Sequence, residues 1–173
     1  MRLDEFTSFY SLISRNGMQP AVSVVGWEET SFSSDICAKL GIEPSSRGFV
    51  FYRVFTGDGK PAVLAEEYMP FSSMRSEFIS SETSELIGKL PNSILDFADI
   101  VCTNRISTSF IELSAQTGFS PQAEKYFSSD GSTAMLCLDE TLLSASGSPI
   151  LFSRAFVNTD MIHFQFMRER PIG

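Results

Sequence analysis

The chain has 173 residues, 43% of them hydrophobic, and a formal net charge of −8. That length and apolar content suit one domain with its own core and exclude wholesale disorder; no apolar run approaches the ~20 residues needed to span a bilayer, and no Lys/Arg cluster offers the cationic contacts that nucleic-acid phosphates demand. Cys37, Cys102 and Cys137 lie far apart without a CxxC, so they read as reduced thiols of a cytosolic protein, and one histidine without a tight ligand pair argues against a zinc site or other cofactor.

Leu3, Phe6, Tyr10 and Ile13 recur at helical spacing and Gly17 follows as a stop, which predicts an entry helix. Its start, Met1-Arg2-Leu3-Asp4-Glu5, has no signal-peptide core. Gln19 to Glu29, with Val22, Val24, Val25 and Trp27, reads as a strand. Ser33-Ser34-Asp35 offers caps for a short helix through Ile36 and Leu40, ended by Gly41. Phe49 to Thr56 alternates with both faces largely apolar, the signature of a mid-sheet strand covered on both sides. Gly57-Asp58-Gly59-Lys60 supplies the positive-φ positions of a hairpin turn, and Ala62 to Met69 returns until Pro70.

The serine-rich stretch from Phe71 to Asn92 carries weak helical signals over Glu82 to Lys89. Pro91 then predicts a short helix through Ile94, Leu95 and Phe97. Val101 to Ala115 reads as a long strand. Ser120-Pro121 caps a helical turn with Ala123, Tyr126 and Phe127. Three strands close the chain: Ala134 to Leu143, Pro149 to Val157 and Met161 to Arg168, with turns at Ser146-Gly147-Ser148 and Asn158-Thr159-Asp160. Short loops between consecutive strands require antiparallel pairing, so the fold is α+β, an antiparallel sheet flanked by helices, with the helices expected on one side.

Arg53 is the sharpest candidate, because it shares a strand face with Phe51 and Phe55 and a buried guanidinium requires an anion. That anion is either an internal carboxylate, with Glu66, Glu67 and Glu112 as options, or a ligand carboxylate or phosphate. Glu66 and Glu67 are neighbours on one strand, so they point to opposite faces and cannot form a catalytic couple; one is expected in solvent. His163 is expected in the last strand in a structural role. No G-x-S-x-G or P-loop spacing is present.

Taken in order, Phe6-Thr7-Ser8-Phe9, Arg15-Asn16-Gly17-Met18-Gln19-Pro20, Ala38-Lys39-Leu40-Gly41-Ile42, Arg53-Val54-Phe55, Asp58-Gly59-Lys60-Pro61, Tyr68-Met69-Pro70, Gly147-Ser148-Pro149-Ile150, Ser153-Arg154 and Phe164 resemble the UTRA domain, the effector-binding domain of the HutC branch of GntR-type transcription regulators. The resemblance runs from Leu3 to Arg168. It implies a chorismate-lyase-like fold, a small-molecule effector, a homodimer in the cytoplasm, and DNA binding only through a winged helix-turn-helix upstream of this chain. Residues 1–18 then form the linker and entry helix, and 19–173 the ligand-binding domain. The resemblance also places the effector against Ser8, Arg53, Phe55, Ala65, Glu67, Leu151 and Val157. Similar domains that sense sugar phosphates carry a second arginine where this chain has Phe55, a glutamate at Ala65, and polar groups at Leu151 and Val157. Each change removes a hydrogen-bonding partner, which points to a less polar effector with one anionic group.

A lyase of the chorismate-lyase type is the enzymatic alternative on the same fold, since fold alone does not settle function. It would rest on Arg53 with Glu67 as its acid or base; no catalytic residue is otherwise assigned.

Overall fold

In the computed structural model, residues 7–79, 85, 87, 90, 93–117, 120–127 and 134–164 are described. A six-stranded antiparallel sheet has the order β1-β2-β3-β6-β5-β4, with β1 Pro20–Ser31, β2 Arg47–Gly57, β3 Lys60–Pro70, β4 Ile106–Gln116, β5 Met135–Ser144 and β6 Pro149–Asn158. Two hairpins, β2–β3 and β5–β6, form its centre and are joined through β3 and β6. The first turn holds Asp58 and Gly59 at φ 50° and 76°, the left-handed geometry a two-residue hairpin needs. Asp58 Oδ1 accepts from the Gln19 amide at 2.8 Å and ties that turn to the start of β1. Gly48 is required where β2 meets β3, because a Cβ there would lie 2.2 Å from the Met69 carbonyl.

Among the described residues three short helices are serine-capped: α1 Phe9–Arg15 by Ser8, α2 Ser34–Leu40 by Ser33, and α3 Ile94–Val101 by Ser93. They do not share one side of the sheet, as the sequence had led us to expect. α1 and α3 cover the face bearing Phe51 and Phe55, here the front; α2 and the 3₁₀ turn Ala123–Lys125 cover the back. The reason lies in β2 itself, whose two apolar faces each need a cover.

The front face is split between two apolar clusters. Under α3, Phe49, Phe51, Met69, Phe97, Leu142 and Leu151 pack together, with Phe51 edge-on to Phe97 at 5.5 Å. Under α1, Leu12 and Ile13 meet Phe55, Val63, Ala155 and Val157. Burying side chains of this kind contributes ~1.5–3 kcal/mol each, which is what holds a seven-residue helix that could not persist alone.

Several boundaries differ from the sequence reading. Val101 ends α3 rather than starting a strand, so β4 begins at Ile106. α3 starts after Ser93, not at Pro91, which lies outside the described residues together with most of 82–89. Residues 161–164 leave β6 through a turn and form no strand, so His163 is not a strand residue; 165–168 lie outside the described residues. Glu66 and Glu67 are both buried, at 4% and 2% exposure, and neither is solvated. Cys37, Cys102 and Cys137 are free and buried, and burial pushes the Cys102 thiol up to about 12 and Cys137 to about 11.

Candidate functional site

Strand register assembles a row of polar residues across the middle of the front face. Glu67 stands opposite Phe51 on β2 and Ser153 on β6, and Ser153 stands opposite Glu140 on β5. The next row along the strands is Arg53–Ala65–Ala155–Leu138. The two alanines and Ser153 are the small residues of this surface, and they separate the apolar cluster under α1 from the one under α3.

Arg53 is 2% exposed and is clamped by Glu67 from two strand positions away. Its Nε donates to Glu67 Oε2 at 2.7 Å, and its Nη2 donates to Glu67 Oε1. This bidentate geometry suits a planar guanidinium. The Phe55 ring centroid lies 5.0 Å from the Arg53 guanidinium carbon, and Phe9 of α1 meets Phe55 edge-on at 5.4 Å. A continuous contact path therefore runs from the start of α1 to the Arg53–Glu67 pair.

Glu140 has a different setting. Burial raises its carboxyl above the ordinary value, a hydrogen bond from Ser109 lowers it, and the charge on Glu67 raises it again. Among the described residues no cation pairs with it.

On the back face, the row behind this one is Tyr52–Glu66–Arg154–Asp139–Glu112. Its charges fasten covering elements to the sheet. Glu66 accepts from Tyr68 at 3.0 Å and from Ser120, which in turn caps the Ala123–Lys125 turn. Arg154 donates to both Asp139 oxygens at 2.8 and 2.7 Å and reaches Asp35 of α2 at 3.3 Å. Lys39 of α2 pairs with Glu112 of β4.

Residues 15–163 match the family model of the UTRA domain. The chain belongs to the UTRA domain family. It is a domain of the effector-sensing kind that transcription regulators carry. Solved structures with the same fold include PhnF from Mycobacterium smegmatis, at TM-score 0.75 and 14% identity over 96% of this chain and 70% of that one. The ligand-binding domain of a putative GntR-family regulator from Bordetella bronchiseptica matches at 0.73 and 14%, over 87% of this chain and 91% of that one. The C-terminal domain of Yurk from Bacillus subtilis matches at 0.70 and 18%, over 84% and 95%. No curated protein matches the sequence.

Within this UTRA domain, Arg53, Phe55, Ala65 and Glu67 share the front face and meet in its middle. Leu151 and Val157 lie on the same face but are fully buried in the clusters under α3 and α1, one at either end. Ser8 stands apart from the row: its Oγ accepts from the Ser11 amide at 3.2 Å as the cap of α1. Of the two readings open for Arg53, the internal carboxylate is present and it is Glu67. Sequence reasoning passed over Ser153, Ala155 and Glu140. The alternation of small Ser153 and Ala155 with bulky Phe152, Arg154 and Phe156 is the signal that marks them.

Proposed function

We propose that the front face between α1 and α3 is the effector site of this domain, and that the protein acts as the sensing part of a GntR-type regulator of the HutC branch. The observation that carries this is the row of small and polar residues, Ala65, Ala155, Ser153, Glu67 and Arg53, set between two apolar clusters in mid-sheet. Sheet interiors are otherwise filled by large apolar side chains. An effector there would lie over the alanine floor, with apolar contact from Phe55 and with Leu151 and Val157 shaping the two ends. An anionic group on it would contend with Glu67 for Arg53. Ser8 would act from α1, the element that residues 1–18 attach to the ligand-binding domain of 19–173.

The signal is a population shift. An effector that binds one position of α1 better than another biases that position, and Phe9 on Phe55 gives α1 direct contact with the site. The sensor works in the cytoplasm as a homodimer, and DNA is bound through an upstream winged helix. The lyase alternative is weaker because Glu67, its only acid or base, is committed to Arg53.

Hydrogen–deuterium exchange tests the site. The chain is titrated with a panel of small carboxylates, amines and amino acids, and a binder should protect residues 63–67 and 153–157. Protection centred instead on α2 and β1 would sink the assignment.

A further inference from the structure

We propose that β4 is the surface through which two copies of this chain join: the β4 strands of both copies pair antiparallel across a two-fold axis at Phe110. This rests on the homodimer proposed for the sensor, and not on the position of the effector site.

The sheet ends in β1 on one side and β4 on the other, and the two edges are built differently. β1 opens with Pro20, carries a bulge between Val24 and Gly26, and has exposed Glu28 and Glu29 side by side, one on each face. Proline, bulges and charges are the devices that keep an edge strand from pairing with another chain. Trp27 of β1 is exposed, yet it rests edge-on against Phe49 of its own chain at 5.9 Å. β4 has neither proline nor lysine, and its register shift lies at its very start, between Ile106 and Thr108. Phe110 is 60% exposed and Leu113 43%, on the back and front faces respectively. An apolar edge of eleven residues that shows large side chains on both faces invites another strand.

Charge points to a second copy as that strand. Each copy carries a net charge of −8, so two copies meet at least cost where the surface is neutral. β4 has one charged residue, Glu112, and Lys39 of α2 already pairs with it. The residue pattern selects the register. With the axis at Phe110, the two phenyl rings face each other on the back, Thr108 stands opposite Glu112, and Ser109 opposite Ile111. An axis at Ile111 would set Phe110 against Glu112, and one at Glu112 would bring two carboxylates face to face.

The oligomeric state of the wild-type chain, Phe110→Lys and Val25→Lys is measured by light scattering across a dilution series. The wild type should be a dimer. Phe110→Lys sets two ammonium groups opposite each other and should weaken dimerisation at least ~10-fold, whereas Val25→Lys on β1 should leave it unchanged. Phe110→Cys reads the register directly. Residues opposite each other in antiparallel strands have Cα atoms ~4.5–5.5 Å apart, within reach of a disulfide. Under a mild oxidant this variant should form a covalent dimer and the wild type, whose three cysteines are buried, should not. The cysteine variant also decides the matter if Phe110→Lys fails to fold.

A dimer that Val25→Lys disrupts, or that leaves Phe110→Cys uncrosslinked, overturns this interface and leaves the homodimer standing. A wild-type chain that stays monomeric at tens of micromolar overturns both.

Discussion

The front and back faces of the central strands carry polar rows that stand back to back, because Glu66 and Glu67, Ser153 and Arg154, and Asp139 and Glu140 are sequence neighbours pointing opposite ways. In the back row, Glu66, Arg154 and the Lys39–Glu112 pair reach out of the sheet to α2 or to the Ser120 turn. In the front row, Glu67 is held by Arg53 from the neighbouring β2. Polar groups that hold a covering element are spent on structure. The Arg53–Glu67 pair joins two strands of the sheet.

The largest effect is expected from splitting the Arg53–Glu67 pair. Both side chains are 3% exposed, so removing one strands a charge in the interior. Arg53→Ala should lower unfolding free energy by ~3–5 kcal/mol in urea titrations, whereas replacing both residues by apolar ones of similar volume should cost much less. Equal losses from the single and double changes would mean that the pair is not what Arg53→Ala disturbs.

On the back face, Ser120→Ala removes a donor to buried Glu66 and the cap of the Ala123–Lys125 turn together. A loss of ~1–2 kcal/mol is expected. Because this row only fastens structure, effector affinity should stay within twofold of the wild type. A larger loss of affinity would dissolve the distinction between the two rows.

Much of this arrangement was legible in the sequence. Alternation in 49–56 marked β2 as central, the Gly57–Lys60 and Ser146–Ser148 turns located both hairpins, helical spacing with Gly17 as a stop marked α1, and serine caps marked α2. Each of these is a local signal. Arg53 was legible as a cation in need of an anion, but its choice of Glu67 over Glu66 or Glu112 depends on register across two strands. Glu140 and Ser153 join Glu67 only because β6 pairs with both β3 and β5, a non-local fact that no local pattern encodes. The β4 start was misjudged because Val101 is β-branched and apolar, yet it is the last buried residue of α3. The strand expected at Met161 to Arg168 failed at its start for a similar reason: Met161 and Ile162 turn back onto Asn158 through their amides and bury against α1 instead of extending.

The smallest effect separates the rows by pH. Glu140 has a carboxyl raised in the folded state, chiefly by burial. A raised acid binds more protons folded than unfolded, so stability falls as pH rises from the ordinary glutamate value, ~4.3, through the folded value. Below that window the proton is on in both states and the cost is absent. Glu140→Gln carries no titrating group, so the stability difference between variant and wild type should be near zero at the acid end of the window. It should grow in favour of Gln toward neutral pH. Urea midpoints across this range measure it directly. A difference that stays flat with pH would mean that Glu140 is already compensated in the folded domain.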